Sequence, residues 1–212
     1  MKNCLRPTIA FMLLLALGGC LEALNQIPAS PLVTLRAMAP QQICQNPTKT
    51  QILVGYPEAE AGLGTDRIAL LFDDREIRYL ANAKWDNSFP LIIQRKLEQY
   101  LNASGCFTAG PETSGISGNF RLLTSMQRMH LCYSSASEAP VARLRLRLSL
   151  LEIRSGIFIS STNVHREYPA QNSDTSALLD AMDTVVHLGM QDAAAWVSKV
   201  LHDHLQQADS KR

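Results

Sequence analysis

The stretch Gly64–Phe107 decides the fold, and it reads GTDRIALLFDDREIRYLANAKWDNSFPLIIQRKLEQYLNASGCF. Apolar residues alternate over residues 68–72 and again over 77–80, which predicts two strands. The polar residues 73–76 between them have the length of a hairpin turn. The segment therefore predicts a hairpin that leads directly into the residues that follow Trp85.

A helix is predicted to start after residues 86–88, Asp-Asn-Ser, because each of these residue types is a good N-cap and Pro90 is tolerated in a first turn. Gly105 marks its C-terminal end. One apolar stripe is predicted to face the sheet: Phe89, Ile92, Ile93, Leu97, Tyr100 and Leu101. The opposite side is predicted to face solvent: Gln94, Arg95, Glu98 and Gln99.

The rest of the chain adds strands and a second helix. Strands are predicted at residues 31–37, 51–56, 119–133 with a bulge near 123–125, 141–153 and 157–164, and loops at 59–65 and 108–118. Apolar residues recur at helical spacing over 178–205, with Gly189 inside the stripe, and Ser173 or Asp174 as its cap. This order predicts a single α+β domain, in which an antiparallel or mixed sheet packs against two main amphipathic helices.

The N-terminus has the pattern of a targeting signal. Lys2 and Arg6 precede an apolar run, residues 9–17, that is roughly half the ~20 residues of a membrane-spanning helix. Leu17-Gly18-Gly19-Cys20 then resembles the lipobox of bacterial lipoproteins, in which small residues admit the peptidase and the thiol accepts a diacylglycerol. The alternative is an ordinary signal peptide with a Cys at its end by chance.

These features predict a cleaved signal at residues 1–19, a lipidated tether at 20–30, a folded domain at 31–207 and a polar tail at 208–212. Several buried acyl chains anchor a protein durably to a bilayer. Leu21 stands where an Asp commonly signals retention at the inner membrane. We therefore predict a protein anchored to the outer membrane and facing the periplasm.

Composition excludes some classes of partner and ligand. Cleavage of the signal changes the formal net charge from +1 to −1, because it removes Lys2 and Arg6 and no acid, and near neutrality argues against nucleic acid. Cys44, Cys106 and Cys132 remain for the oxidising compartment, where one disulfide is expected, but the spacing does not choose among the pairings. These cysteines are far apart and lack a histidine at ligand spacing, so we predict no metal site and no cofactor besides the lipid on Cys20.

No pattern of a nucleophile, phosphate loop or zinc-binding helix occurs, and we predict a protein without catalytic activity. Arg143, Arg145 and Arg147 alternate with leucines along one strand and are candidates to bind an acidic partner or lipid phosphates. The alternative is a solvated strand face or an edge guarded against pairing. Trp85 is a second candidate for partner binding, and its alternative is packing at the junction of strand and helix.

The segments TDRI, RYLANAKW, FP and LNASGCF of residues 65–107 resemble the ABC-type transport auxiliary lipoprotein family. The resemblance extends from about Pro31 to the final helix. It implies an auxiliary subunit that works with an ABC permease, its ATPase and a mammalian-cell-entry-type bridging protein in intermembrane lipid transport. Assembly of this chain into a homo-oligomer is left open. The alternative from another class is a pilot lipoprotein that escorts an outer-membrane β-barrel or a secretin.

Overall fold

A computed structural model describes residues 30–45, 47–115, 117–134 and 139–210. The predicted signal, the predicted lipidation site Cys20 and the predicted tether up to residue 29 lie outside the described residues. The elements in chain order are β1 (Leu32–Val33), β2 (Gln51–Val54), β3 (Glu58–Ala59), β4 (Arg67–Phe72), β5 (Glu76–Trp85), α1 (Phe89–Ala103), β6 (Thr108–Pro111), a 3₁₀ turn (Glu112–Ser114), β7 (Phe120–Tyr133), β8 (Val141–Glu152), β9 (Ile157–Pro169) and α2 (Thr175–Asp209).

Strand β7 organises a nine-stranded mixed sheet. On one side it pairs antiparallel with β8, which pairs antiparallel with β9. On its other side β2, β3 and β4 follow one another along the strand, and each pairs with it in parallel. β6 extends β2 in parallel, while β5 pairs antiparallel with β4 and in parallel with β1. The predicted α+β fold with a mixed sheet is thus confirmed.

The core lies between the sheet and a layer formed by the two helices. Tyr100 of α1 contacts His187 of α2, with their ring centroids 5.6 Å apart. The inward-facing leucines of β8 are fully buried, namely Leu144, Leu146, Leu148 and Leu150, each with 0% exposure. Burial of each such side chain contributes about 1.5–3 kcal/mol to the free energy of unfolding. The alternation of β8 therefore fixes which face of the sheet the helices cover.

Gly189 allows α2 to lie close to this inner face. A Cβ atom added at Gly189 would collide with Cδ2 of Leu144, and it would lie 3.6 Å from Cγ1 of Val164. The glycine costs about 1 kcal/mol of helix propensity relative to alanine. The helix keeps this residue because its backbone packs directly on β8 and β9.

The hairpin of β4 and β5 connects to α1 through Trp85. Its turn places Asp73 and Asp74 in the left-handed region, with φ of 45° and 54°, and aspartate is one of the residue types that tolerate it. Trp85 is 2% exposed, and its ring centroid lies 5.2 Å from that of Phe89. Trp85 therefore packs the junction of strand and helix, and the prediction that it binds a partner at the surface is wrong.

Several predicted boundaries were wrong. Residues 108–111 form β6 within a predicted loop, because they pair with the distant strand β2, and part of β3 likewise lies in the loop predicted at 59–65. The bulge of β7 lies between Met126 and Arg128 rather than near residues 123–125. β9 continues to Pro169 beyond the predicted end at 164, since its whole length pairs with β8.

Gln94 is a further correction. Its predicted position on the solvent side of α1 is wrong, because the side chain is 5% exposed. Its Nε2 donates a hydrogen bond to the carbonyl oxygen of Val54 at 2.9 Å. A long polar side chain can reach around a helix to a strand, and helical periodicity alone does not reveal the acceptor.

Candidate functional site: a basic sheet face and a pocket under a strap

The outer face of β7–β9, which points away from the helices, carries a cluster of arginines. We call it the basic face, and its members are Arg121, Arg128, Arg143, Arg145 and Arg147. The arginines of β8 lie there because they are out of phase with its buried leucines. The prediction of an outer-face row thus agrees with their placement, whereas the suggestion of an edge strand is wrong, since β8 is paired on both sides.

Strand register brings the arginines together. Arg145 lies opposite Arg128 of β7 on one side and His165 of β9 on the other. Arg147 lies between Ser125 and Asn163, which are both uncharged. Sequence reasoning missed Arg121 and Arg128 as members of this face. The bulge in β7 interrupts the alternation before Arg128, whereas Arg121 lies in the regular alternation of residues 120–126 and could have been found from it.

Acidic side chains neutralise only part of the basic face. Asp74 Oδ1 lies 3.3 Å from Nη1 of Arg143 and 3.5 Å from Nη1 of Arg128, so one carboxylate serves two guanidinium groups. Arg143 Nε also lies 3.0 Å from Oε1 of Glu167, as an ion pair that is not aligned as a hydrogen bond. The turn between β4 and β5 thus contributes a structural counter-ion.

A third acid pairs with Arg121, whose Nη2 lies 2.6 Å from Oε1 of Glu112. Arg145 and Arg147 have no acidic partner within 4.0 Å in the part of the chain that the structure describes, and both are exposed. Exposed guanidinium groups of this kind attract and orient acidic partners over a distance of about 10 Å at 0.1 M salt. The basic face therefore has a positively charged centre at these two residues.

Two titratable groups lie buried within this part of the sheet. His130 is 6% exposed, and both of its ring nitrogens lack a hydrogen-bond partner in the structure. Burial, with a smaller contribution from the charge of Arg128, lowers the pKa of His130. Burial likewise raises the pKa of the Cys132 thiol, although the nearby Arg143 opposes this shift. Burial thus favours the neutral form of both groups.

Residues 35–45 form an extended strap that crosses the helix layer. Its Arg36 donates its backbone N–H to Asp183 Oδ1 at 2.9 Å and pairs with Asp180 at 2.7 Å, both on α2. Lys96 of α1 donates to the carbonyl oxygen of Arg36 at 3.1 Å. The strap is therefore attached to both helices near its beginning.

A disulfide joins the far end of the strap to the end of α1, between Cys44 and Cys106. The backbone N–H groups of Ile43 and Cys44 both donate to the carbonyl oxygen of Ser104 at 2.9 Å. This selects one of the pairings that sequence spacing left open, and Cys132 remains as a buried free thiol. A covalent bond as well as hydrogen bonds thus attach the far end of the strap to the end of α1.

The strap, Tyr100 and α2 line a half-open cleft of about 540 Å³, which we call the strap pocket. Its lining residues are Gln41, Gln42, Ile43, Cys44, Tyr100, Gln191, Ala194, Ala195, Ser198, Lys199 and His202. Sequence reasoning missed this pocket, because its walls come from three segments that are far apart in the chain. The helical spacing of residues 191, 195, 198 and 202 was the signal of a shared face.

The histidines near the end of α2 contact other side chains of the domain. No group of at least three His, Cys, Asp or Glu side chains with metal-binding geometry occurs among the described residues. His202 instead hydrogen-bonds Gln206 at 2.9 Å, and His204 packs its ring edge against Phe120. In the same described part of the chain, no helix combines the length and apolar character required to cross a bilayer.

The family model described as ABC-type transport auxiliary lipoprotein component matches residues 34–194. The chain belongs to this family. It is therefore related by descent to lipoproteins that assist ABC-type transport, as the resemblance of residues 65–107 predicted. This membership supports a membrane-anchored protein of the cell envelope. A comparison with curated proteins finds no match.

Solved structures support the fold. Protein XCC0632 from Xanthomonas campestris superposes with a TM-score of 0.69 at 20% identity, over 86% of this chain and 96% of that one. An uncharacterized protein gives 0.63 at 12% identity, over 79% and 98%. The hypothetical protein CT253 from Chlamydia trachomatis gives 0.51 at 9% identity, over 71% and 96%. At these identities the likeness establishes the shared architecture and not a shared function.

Proposed function

We propose that this protein is an outer-membrane lipoprotein, anchored through Cys20 and facing the periplasm, that serves as a non-catalytic auxiliary subunit of an intermembrane lipid transport system. Its partners in this role are an ABC permease, its ATPase and a mammalian-cell-entry-type bridging protein. The ATPase supplies the energy, and this domain contributes docking. Family membership supports the link to ABC-type transport, and the lipobox-like segment that ends at Cys20 supports the anchor.

The observation that carries the docking role is the unpaired charge of Arg145 and Arg147. Both residues lie on a central strand whose neighbours hold it rigidly, so the two charges keep a fixed spacing. A rigid basic surface suits an acidic surface of a protein partner, for which it contributes orientation and rate of association more than affinity. We propose that the bridging protein presents that acidic surface.

A second candidate role is that of a pilot lipoprotein for an outer-membrane β-barrel or a secretin. Strand β9 favours it, because its thirteen residues pair only with β8 in the described part of the chain. A free strand edge of this length is able to receive an extended segment of another protein by strand addition. The partners recovered from cells distinguish the two roles.

The experiment is crosslinking in intact cells, followed by purification of the full lipidated protein and mass spectrometry. Recovery of ABC subunits with a bridging protein supports the transport role. Recovery of a β-barrel or a secretin alone refutes it and favours the pilot role. If phospholipid is recovered without protein, the docking role is wrong and direct lipid carriage replaces it.

A double charge reversal tests the basic face in the same experiment. Arg145→Glu with Arg147→Glu is expected to reduce recovery of the bridging protein at least tenfold, since like charges across an interface cost several kcal/mol. Arg95→Glu is the matched control, because Arg95 is an exposed arginine on α1. Equal recovery from the double variant and the wild type would show that docking uses another surface.

A further inference from the structure

The strap pocket is a half-open cleft, one wall of which is fixed by a disulfide. One wall is the strap at Gln41–Cys44, which the disulfide to Cys106 holds in place. The opposite wall is α2, and Tyr100 of α1 also lines the cleft. Its volume of about 540 Å³ lies in the range of ~300–1,000 Å³ that is typical of small-molecule sites.

Part of the wall is apolar. Ile43, Ala194 and Ala195 contribute aliphatic surface, and small side chains on α2 leave the space that makes the cavity. The two hydroxyl groups at the wall already have partners. Ser198 donates to the carbonyl oxygen of Ala194 at 2.7 Å, and the Tyr100 hydroxyl hydrogen-bonds Nδ1 of His187. Because both hydroxyl groups are already hydrogen-bonded, a ligand does not need polar groups to contact this part of the wall.

The lining of the strap pocket carries positive charge, from Lys199, and no negative charge. Lys199 is exposed, and no carboxylate lies within 4.0 Å of it among the described residues. No residue of the lining is acidic, and glutamines supply the remaining polar groups together with His202. A cavity with aliphatic walls and one unpaired cation favours a ligand that combines an apolar body with a single anionic group.

We propose that the strap pocket binds a single-chain anionic amphiphile, with its acyl chain against Ala194 and Ala195 and its acidic head at Lys199. The volume accommodates one acyl chain, whereas the second chain of a phospholipid would remain outside. A fatty acid and an anionic lysophospholipid share this chemistry. The inference does not rest on the proposed role in transport, because it uses only the shape and lining of the pocket.

The test is photolabelling of the full lipidated protein in nanodiscs. The probes are diazirine-bearing palmitate, diazirine-bearing lysophosphatidylglycerol and, as the neutral comparison, diazirine-bearing hexadecanol. Mass spectrometry of the digested protein locates each label. We expect an anionic probe to label saturably the peptides of the strap or of residues 191–202, at least tenfold more than hexadecanol does.

Variants separate the pocket from its surroundings. Ala195→Trp fills the cavity from an exposed helix position and is expected to reduce labelling by the anionic probes at least tenfold. Lys199→Gln is expected to reduce it about tenfold without changing labelling by hexadecanol. Lys84→Gln is the matched control, because Lys84 lies on β5, outside the lining of the pocket, and it is expected to label like the wild type.

The outcomes decide both the site and the source of the ligand. Saturable labelling by palmitate alone identifies a fatty acid site, and labelling by lysophosphatidylglycerol alone identifies a lysophospholipid site. Saturation by both supports the shared chemistry. Labels spread evenly over the surface, undiminished labelling of Ala195→Trp, or equal labelling by hexadecanol and the anionic probes would overturn the proposal.

Discussion

Removal of the disulfide between Cys44 and Cys106 is expected to destabilise the domain strongly. The two cysteines are 62 residues apart, and the entropy of closing a loop of that length corresponds to about 4 kcal/mol of unfolding free energy. For a domain of this size, the same change lowers the melting temperature by roughly 10 °C. The double variant Cys44→Ala/Cys106→Ala is therefore expected to lose a large part of a typical stability of ~5–15 kcal/mol.

Guanidinium unfolding of the purified mature protein, with and without reductant, measures this loss. Reduction of the wild type is expected to cost about the same 4 kcal/mol as the double variant, since both remove the same constraint from the unfolded chain. The double variant itself is expected to be insensitive to reductant. Agreement between the two perturbations separates the crosslink from any packing lost at the buried Cys106.

Cys132→Ala is the matched control, because Cys132 is a buried free thiol. This variant is expected to keep the full sensitivity to reductant. The assignment of the crosslink would be refuted if reductant changed the unfolding free energy of the wild type by less than ~1 kcal/mol. It would also be refuted if the Cys132→Ala variant lost its response.

Three further substitutions test the packing. Gly189→Leu is expected to cost about 3 kcal/mol in chemical unfolding, because the new side chain overpacks against Leu144, and an unchanged stability would contradict the close approach of α2. Gln94→Leu is expected to cost about 1–3 kcal/mol, because it leaves the buried carbonyl of Val54 without its donor, and a neutral result would contradict that contact. The lowered pKa of His130 means that the unfolded chain binds this proton more readily, so stability is lost as pH falls through about 6.5. His130→Leu is therefore expected to gain stability over the wild type more at pH 5.5 than at pH 7.5, and an equal difference at both values would show that the folded histidine titrates normally.

The local part of the fold was predictable from the sequence. The apolar stripe of α1 is buried as its spacing indicates, and the alternation of β8 separates buried leucines from outward arginines. Both patterns repeat over many residues, so tertiary context did not need to be known. Residues 65–107 likewise carry enough of the family pattern to indicate the correct family.

The non-local part was not predictable in the same way. The parallel pairing of β2 with β6 joins short segments about 57 residues apart. The pattern of residues 51–56 predicted a strand, whereas residues 108–111 were predicted to be a loop. The partner of Gln94 and the bulge of β7 also depend on neighbouring strands. Tertiary contacts decide such details because each local preference is small compared with the free energy of packing.

The two candidate sites also differ in how far the sequence predicts them. The arginines of β8 were visible as a row, but their central position and the counter-ion Asp74 required the strand register. The strap pocket was invisible because a single strap residue such as Ile43 carries no signal of a distant helix. A periodic surface can be read from the sequence, whereas a cavity between separate segments cannot.

Site-specific photo-crosslinking from position 147 in intact cells tests the central claim most directly. A photoreactive residue in place of Arg147 is compared with the same residue in place of Arg95, on the helix side of the domain. The account predicts that position 147 captures the bridging protein or an ABC subunit and that position 95 does not. Capture of such a subunit from position 95 alone, or capture of only a β-barrel or a secretin from position 147, would contradict docking of a transport partner on the basic face.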